Sequence, residues 1–196
     1  MAADKWLIVG LGNPGSVYSH NRHNVGYWCV NRLGRLHGIA LKARRLAAIG
    51  EGSIRGTPVL LVKPRTFMNR SGQAVAAVLR NSKIQRSRLL VVCDDLDLPA
   101  GALRLKAGGG AGGQKGIGSI IAAIGGQDFP RLRIGIGRPE VDGEPTWDPD
   151  AVALYVLCDP APKEAEALQA TVAQAAEAVE TLLREGLEPA MNRYNR

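Results

Sequence analysis

Residues 7–26, LIVGLGNPGSVYSHNRHNVG, constrain the fold more strongly than any other part of the chain. The segment begins with β-forming apolar residues, which predict a buried strand. The three glycines and the proline of residues 10–15 then require a sharp turn, because they continue neither a strand nor a helix. Polar residues follow, and from Tyr27 onward apolar residues recur at helical spacing. This order of strand, turn, polar loop and helix is typical of α/β enzymes, which place their chemistry at the carboxyl edge of a sheet.

The remaining chain alternates between predicted strands and helices. Residues 46–54 and 58–62 predict a β-hairpin, and residues 89–92, the most apolar run, predict a central strand. The other predictions are strands at 103–106 and 131–137, helices after an N-cap at Ser71, from residue 117 and over 163–185, and a loop at 138–150.

Length and composition place the chain among single-domain globular proteins, and we expect residues 1–196 to form one domain. No apolar run approaches the roughly 20 residues that a membrane-spanning helix needs. Residues 1–5 lack the features of a signal peptide. Three widely spaced cysteines, Cys29, Cys93 and Cys158, argue for reduced thiols and against a zinc site or a disulfide framework. We therefore expect a cytoplasmic protein that binds neither a membrane nor a metal.

Charge is distributed unevenly along the chain. Residues 1–138 hold 21 Lys and Arg against 6 Asp and Glu, whereas residues 139–196 hold 4 against 12. A basic surface can simply aid solubility, or it can bind a polyanion, most commonly a nucleic acid. Aromatic residues make up only 5% of the chain, which does not favour a stacking platform for single-stranded bases.

The glycines at positions 10, 12 and 15 formally match the dinucleotide-binding fingerprint, but their context argues against that function. The fingerprint requires a helix that opens at the third glycine, whereas residues 16–24 are polar and have no helical pattern. It also requires an acidic residue about 20 positions later, and none lies between Asp4 and Glu51. An oxidoreductase that uses a nicotinamide cofactor is the least favoured of the functions considered.

Two side chains could form a pair for proton transfer. His23 shares a polar loop with Asn13, although it could equally be a capping histidine before a helix. Asp94 ends the most apolar strand, where it could cap a turn or reach a histidine at a neighbouring strand end. Pairing with a carboxylate fixes the tautomer of an imidazole and stabilises the imidazolium. Asp95 and Asp97 are predicted to be turn residues that face solvent.

The position of Cys93 beside Asp94 raises the possibility of a thiol nucleophile. Side chains alternate along a strand, so the two residues should point in opposite directions, with Cys93 in the core. The chain also has no serine in a G-x-S-x-G elbow. If the chain is a hydrolase, we expect the nucleophile to be a water molecule activated by His23.

The loop at residues 108–116 contains six glycines and precedes a short predicted helix. Such a loop could be flexible filler, or its backbone N–H groups could bind an anion. Basic residues flank it, namely Arg104, Lys106, Lys115, Arg131 and Arg133. A glycine loop among basic side chains fits a phosphate backbone, although the sequence is not that of a P-loop.

Taken together, six motifs resemble the bacterial peptidyl-tRNA hydrolase family. They are GLGNPG…RHNVG at 10–26, FMN-SG at 67–72, DDLDLP at 94–99, KAGGGAGGQKG at 106–116, RLRIGIGRP at 131–139 and the terminal AMNRYN. The resemblance implies a single α/β domain with a twisted, mostly parallel mixed sheet flanked by helices, and a monomer without metal or cofactor. It also implies hydrolysis of the ester bond between a peptide and the 3′-terminal ribose of tRNA, which recycles tRNA from prematurely released peptidyl-tRNA.

The resemblance also assigns roles to individual residues. His23 would be the catalytic base and Asp94 its partner. The residues implied to bind the substrate are Asn13, Tyr18, Met68, Asn69 and Lys115. Those implied to contact tRNA phosphates are Arg104, Lys106 and Arg133. The implied partner is the acceptor stem and 3′ end of peptidyl-tRNA.

The glycine loop departs from the family pattern. Many relatives have GGxxGHNG there, with an asparagine that helps to hold the catalytic water or the substrate, whereas this chain has Gln114 and Lys115 at the histidine and asparagine positions. Glutamine can donate and accept hydrogen bonds, but lysine can only donate. The departure leaves a second function open, that of an RNA-binding protein that kept the fold and lost turnover.

Overall fold

The computed structural model describes residues 5–195. Residues 1–4, most of the segment considered for a signal peptide, and residue 196 lie outside the described part. The strands are β1 (Trp6–Gly10), β2 (Lys42–Ala43), β3 (Ala47–Ile54), β4 (Thr57–Pro64), β5 (Leu89–Asp95), β6 (Leu103–Lys106), β7 (Arg131–Gly135), β8 (Glu140–Val141) and β9 (Glu144–Pro145). The helices are α1 (Val25–Leu36), α2 (Ser71–Ser82), α3 (Lys115–Ile124), α4 (Pro149–Leu157), α5 (Pro162–Glu185) and α6 (Leu187–Tyr194).

Seven of these strands form a mixed sheet in the order β2-β3-β4-β1-β5-β7-β6. The four central strands, β4, β1, β5 and β7, run parallel to one another. Antiparallel neighbours complete both edges. The predicted fold class, a mostly parallel mixed sheet flanked by helices, is confirmed. The predicted hairpin, now β3 and β4, and the predicted long helix, now α5, are also present.

Helices cover both faces of the sheet. On one face, α1, α5 and α6 pack over a core that includes Ile8 of β1 and Leu90 of β5. On the opposite face, α2 and α3 pack over a core that includes Leu7 and Val91 of the same strands. Because β1 and β5 are buried on both faces, their sequences are continuous apolar runs without polar alternation.

The first helix starts in close contact with the carboxyl ends of β1 and β5. A Cβ atom at Gly26 would lie 2.4 Å from the carbonyl oxygen of Val92, so only glycine fits there. A Cβ atom at Gly10 would lie 2.1 Å from the carbonyl oxygen of Gly26. The helix begins at Val25, well after Gly15, and its N-terminus is therefore not formed by the third glycine as a dinucleotide-binding turn would require.

Two local predictions were wrong. Ser71 is the first residue of α2 and does not cap it, because the 3₁₀ helix Met68–Arg70 leads directly into α2. The Ser71 hydroxyl instead donates to the carbonyl of Met68 at 2.9 Å. The predicted loop at 138–150 contains the hairpin of β8 and β9 and the start of α4, where Asp148 accepts a hydrogen bond from the N–H of Ala151 at 2.8 Å. Strands this short show no periodicity in sequence.

The C-terminal segment protects one edge of the sheet. The side chain of Asn195 accepts a hydrogen bond from the N–H of Leu105 at 2.6 Å and donates one to the carbonyl of Leu105 at 2.9 Å. Leu105 belongs to β6, the edge strand, so the Asn195 amide occupies the place of a neighbouring strand at this point. None of the helices within residues 5–195 is both long and apolar enough to cross a membrane.

Candidate active site

A cleft of about 800 Å³ opens beside the carboxyl ends of β1 and β5. Eight of the predicted site residues line it, namely Asn13, His23, Met68, Asn69, Asp94, Lys106, Lys115 and Arg133. Residues far apart in sequence, from the first loop to the seventh strand, thus face one space. Tyr18 and Arg104 are not part of the lining.

The central contact of the cleft joins His23 to Asp94. The Nδ1 atom of His23 lies 2.8 Å from Oδ2 of Asp94, and Asp94 is 4% exposed. His23 lies on the 3₁₀ helix Arg22–Asn24, just before α1, while Asp94 lies near the end of β5. Because the tight packing at Gly26 holds the start of α1 against β5, the two side chains meet across a short gap. Nδ1 faces the carboxylate, and Nε2 is left for the cleft.

The pKa of His23 reflects three opposing influences. Burial lowers it, the charge and hydrogen bond of Asp94 raise it, and the positive charge of Lys115 lowers it. The net effect is a pKa above the ordinary value for histidine. A raised pKa strengthens the imidazole as a base, and the Asp94 carboxylate stabilises the imidazolium that forms when it takes up a proton.

Arg22 anchors the segment that carries His23. Its guanidinium group makes two hydrogen bonds of 2.6 Å to the carboxylate of Glu164 at the start of α5. It also donates to the carbonyls of Tyr155, Cys158 and Asp159, which surround the end of α4. The loop before α1 is therefore tied to the segment between α4 and α5, and α4 forms part of the wall of the cleft.

Two asparagines orient the opposite side of the cleft. The side chain of Asn24 accepts a hydrogen bond from the N–H of Asn13 at 2.7 Å and donates to the Asn13 carbonyl at 3.0 Å. The Oδ1 atom of Asn13 accepts from the N–H of Met68 at 2.8 Å. A backbone N–H can only donate, so Oδ1 must face Met68 and the side-chain NH₂ group of Asn13 is directed elsewhere. Asn69 follows on the same 3₁₀ helix and is exposed at the cleft.

Gln114 closes the cleft behind Asp94. Its Nε2 atom donates to Oδ1 of Asp94 at 2.9 Å, and its Oε1 atom accepts from the N–H of Ile117 at 2.8 Å. The second contact makes Gln114 the N-cap of α3. Both carboxylate oxygens of Asp94 are therefore hydrogen bonded, one to Gln114 and the other to His23.

Cys93 is 2% exposed and packs in the core, although it also borders the cleft beside Asp94. It belongs to the core on the α2 and α3 side of the sheet. Burial raises the pKa of its thiol, and the charges of Asp94 and Asp95 raise it further. A protonated, buried thiol is a poor nucleophile. The alternation of side chains along the strand predicts this position of Cys93 in the core.

Asp95 does not face solvent, so this prediction was wrong. The strand β5 continues through Asp95, whose buried carboxylate pairs with Arg133 and accepts a hydrogen bond from the N–H of Asp97 at 2.9 Å. Parallel pairing with β7 extends the ladder past Asp94 and places Asp95 beside the basic residues of that strand. Asp97 is exposed, as expected, and pairs with Arg138.

A basic wall of the cleft is formed by Lys106, Arg131 and Arg133 of β6 and β7. In the antiparallel pair of β6 and β7, Arg104 lies opposite Arg133 and Lys106 lies opposite Arg131. Leu105 between them is buried in the core under α5 and α6, so Arg104 and Lys106 project from the opposite face of the sheet. The buried Arg131 donates to the carbonyls of residues 109, 110 and 127 and thereby holds the glycine loop.

The cleft also has an apolar wall. It is formed by Trp147, Pro149, Val152, Ala153, Val156 and Leu157. Trp147 is 70% exposed and lies 4.9 Å from the guanidinium carbon of Arg138. Tyr18 packs edge-on against Phe67, with 6.3 Å between ring centroids, and Phe67 lines the cleft. The cleft therefore combines a charged side with a side suited to apolar groups.

Several residues of this site were not assigned roles from the sequence. Arg22 and Asn24 adjoin His23, and their position in one polar run is the signal that could have marked them. The contact of Gln114 with Asp94 had no local signal, because it depends on how the glycine loop folds against β5. Within residues 5–195, no group of three or more His, Cys, Asp or Glu residues could hold a metal ion.

Comparison with known proteins shows the family of this chain. The family model for peptidyl-tRNA hydrolase matches residues 7–196. The peptidyl-tRNA hydrolase of Chloroflexus aggregans is 50% identical over 192 residues, which cover 97% of this chain and 98% of that protein. The corresponding protein of Desulforudis audaxviator is 47% identical over 190 residues, or 96% of this chain and 92% of that protein.

A solved structure is also closely similar. The crystal structure of peptidyl-tRNA hydrolase from Acinetobacter baumannii superimposes with a TM-score of 0.89 at 38% identity, and the match covers 100% of this chain and 96% of that chain. The family match runs through the His23 loop, the end of β5 and the basic strands alike. The chain therefore belongs to the peptidyl-tRNA hydrolase family.

Proposed function

We propose that this enzyme uses His23 to activate a water molecule, which attacks the ester bond between a peptide and the 3′-terminal ribose of tRNA. Family membership supplies the substrate, peptidyl-tRNA. The observation that carries the assignment of the base is the contact of 2.8 Å between His23 Nδ1 and Asp94 Oδ2 inside the cleft. Because Asp94 occupies Nδ1, the other ring nitrogen, Nε2, is the one that can accept a proton.

The reaction follows from these roles. Nε2 of His23 takes a proton from water as the water oxygen bonds to the ester carbonyl carbon. The bond from that carbon to the ribose 3′-oxygen then breaks, and the imidazolium returns its proton to the leaving oxygen. An ester has a good leaving group, so a positioned water and a base suffice, and general-base assistance contributes about 10²–10⁴-fold.

Asn13 and Asn69 would bind the peptide end of the substrate. The NH₂ group of Asn13 is directed away from Met68, as described above, and can donate to a peptide carbonyl or to the developing oxyanion. Asn69 presents an exposed amide at the same cleft. Met68 and Lys115 also line this part of the cleft and would contact the substrate. Tyr18 does not line the cleft but packs against Phe67, which does, and this contact supports a role for Tyr18 in substrate binding.

Arg104, Lys106 and Arg133 would bind phosphates of the tRNA acceptor stem and 3′ end. Arg104 and Lys106 are exposed, whereas Arg133 is half-buried and pairs with Asp95. This pairing fixes the Arg133 guanidinium at the cleft and leaves part of its donor set for a phosphate oxygen. RNA binding of this kind is dominated by charge and weakens steeply with salt.

We further propose that the enzyme acts in the cytoplasm as a monomer and uses neither a metal nor a cofactor. Sedimentation of the free protein and of its tRNA complex would measure the stoichiometry, and an apparent mass of two chains would contradict the proposal. Dialysis against EDTA, followed by an assay with and without added divalent ions, would test the metal. Loss of turnover that metal restores would refute that part.

The decisive experiment compares peptide release from an N-blocked aminoacyl-tRNA by the parent chain and by His23→Ala. We expect turnover in the parent and a loss of at least ~10²-fold in the variant. His20→Ala is a matched control, because His20 is exposed and does not line the cleft, and it should behave like the parent.

A parent chain without turnover that still binds tRNA would favour the alternative, an RNA-binding protein of the same fold. The feature that keeps this alternative open is the pair Gln114 and Lys115, which replaces the histidine and asparagine of many relatives.

A further inference from the structure

The side chain of Gln114 is held on three sides within the cleft. Its Oε1 atom accepts from the N–H of Ile117 at 2.8 Å, and its Nε2 atom donates to Oδ1 of Asp94 at 2.9 Å. The Nε2 atom also lies 3.4 Å from the sulfur of Met68. A Cβ atom at Gly116 would come within 3.0 Å of Oε1 and 2.5 Å of the Met68 sulfur, so glycine at this position leaves room for the amide.

The chemistry of these contacts fixes the direction of each hydrogen bond. The N–H of Ile117 can only donate, so the oxygen of the Gln114 amide must face it. The NH₂ group of Gln114 then faces Asp94 and can only donate, so Oδ1 of Asp94 must accept. Both carboxylate oxygens of Asp94 are therefore acceptors, Oδ1 from Gln114 and Oδ2 from the imidazole of His23.

We propose that Gln114 is a positioning residue for the reaction, which holds the Asp94 carboxylate in place against the imidazole and so fixes His23 as the tautomer with a proton on Nδ1 and a bare Nε2. This inference rests on the proposed role of His23 as the base. Its physical basis is a chain of hydrogen bonds that runs from the N-terminus of α3 through Gln114 and Asp94 to the imidazole. Gln114 touches neither water nor substrate in this role and acts only through Asp94.

The carboxylate of Asp94 has two side-chain partners, His23 at Oδ2 and Gln114 at Oδ1. The charged groups that act on His23 are Asp94 on β5 and Lys115 at the start of α3. The neighbouring Arg22 is committed to Glu164, and Asp95 is committed to Arg133. Without Gln114, Oδ1 of Asp94 would lose its partner, and the carboxylate could rotate away from the imidazole.

The first measurement uses the parent protein and needs no turnover. Nitrogen-15 spectra of the imidazole groups, assigned with His23→Ala, report which nitrogen of neutral His23 carries the proton. We expect a protonated Nδ1, although free imidazole side chains do not favour that form. A protonated Nε2 in the neutral ring would overturn the proposal, whatever any variant does.

The second measurement compares Gln114→Met with Gln114→Glu in peptide release as a function of pH. Methionine cannot donate, so we expect kcat/KM to fall about tenfold or more at every pH, with loss of the Nδ1–H tautomer. Glutamate keeps an acceptor for Ile117 but donates to Asp94 only while protonated. Its deficit against the parent should therefore grow with rising pH, a signature that a purely structural cap of α3 would not produce.

The outcomes separate this inference from the proposed function. If His23→Ala loses turnover while both Gln114 variants keep parental kcat/KM and tautomer, the role of Gln114 is refuted and the base stands. A deficit in Gln114→Glu that is constant across pH would refute it as well, because it would assign Gln114 to helix capping alone. If His23→Ala keeps turnover, the base itself is wrong, and the tautomer measurement still reports on the hydrogen-bond chain.

Discussion

At the scale of single residues, the proton affinity of His23, the proposed base, is set by burial and by two neighbours of opposite charge. Asp94 raises the pKa of His23 and Lys115 lowers it, against a background of burial that also lowers it. Since His23 must be neutral to accept a proton, its raised pKa sets the acid limb of the pH profile. The limb should lie at a higher pH than that of an unperturbed histidine.

Replacing Lys115 should therefore move this limb in a defined direction. In Lys115→Gln the opposing positive charge is gone, so the pKa of His23 rises further and the acid limb of kcat/KM moves to higher pH. The shift should shrink as salt is added, because Lys115 is exposed and its charge is screened. A pH series of ester hydrolysis at low and high salt measures both effects, and an acid limb that moves to lower pH would contradict the assignment.

Cys93 is the residue that most clearly distinguishes a water nucleophile from a thiol. Its thiol is buried and its pKa is raised, so Cys93→Ala should keep parental kcat. The variant should lose about 1–2 kcal/mol of unfolding free energy in urea, because a buried group is truncated. Cys29→Ala, which truncates a buried thiol in α1 instead, is the matched control. Lost turnover in Cys93→Ala alone would overturn the water mechanism.

The sequence was informative about residues whose position follows from one strand or loop. His23 and Asp94 could be proposed because each lies where a strand end meets a polar loop. Asp95 could not be placed correctly, because its burial depends on pairing with β7, which is 36 or more residues away in the chain. The contact between Gln114 and Asp94 is of the same kind, since it joins two segments that approach each other only in the folded chain.

At the scale of elements, the site depends on how closely α1 approaches the ends of β1 and β5. The contact at Gly26 leaves no space for a side chain, and this crossing brings the His23 segment to Asp94. The same segment is bound on its other side by the ion pair of Arg22 and Glu164. His23 is thus held by backbone packing and by a half-buried ion pair at once.

Gly26→Ala tests this packing. Alanine normally favours a helix over glycine by about 1 kcal/mol, but here its Cβ would overlap the carbonyl oxygen of Val92. We expect a loss of about 3 kcal/mol or more of unfolding free energy, together with reduced turnover. Gly118→Ala in α3 is the control, since the nearest atom to its Cβ would be 3.7 Å away. That variant should be neutral or more stable by up to about 1 kcal/mol; equal stability of both variants would refute the argument.

Elements with one buried face were predicted well, and those without one were missed. The helix α5 buries Leu168, Val172 and Val179 along a single stripe and was predicted nearly to its ends. In α4, by contrast, Val156 is buried while Leu154 is 69% exposed, so its apolar residues do not mark one face. Val152, Ala153 and Leu157 of this helix line the cleft rather than a core, which is why hydrophobic periodicity did not reveal it.

At the scale of the whole molecule, the basic side chains of β6 and the acidic helix α5 lie on opposite faces of the sheet. The exposed Arg104 and Lys106 project from the face opposite to α5 and α6, the helices that carry much of the acidic last third. The basic side chains lie next to the cleft, which suits a substrate whose ester must enter while its phosphates remain outside.

Arg104→Ala should weaken binding of tRNA and reduce the slope of log affinity against log salt by about one, as expected for the loss of one phosphate contact. Hydrolysis of a minimal aminoacyl-nucleotide ester should change little, because Arg104 does not line the cleft. Arg184→Ala, at the end of α5, is the charge-matched control and should leave both unchanged. Equal losses of Arg104→Ala on tRNA and on the minimal ester would contradict the assignment.

The hydrogen bonds of Asn195 to the edge strand have a consequence for self-association. An edge strand with free backbone groups invites a second chain to extend the sheet, and β6 is such an edge beside the basic wall. Asn195 occupies both backbone groups of Leu105, so an incoming strand would have to displace it. Loss of the Asn195 side chain, as in Asn195→Ala, would free both backbone groups of Leu105 and leave the edge beside the surface proposed for RNA open to sheet extension by a second chain.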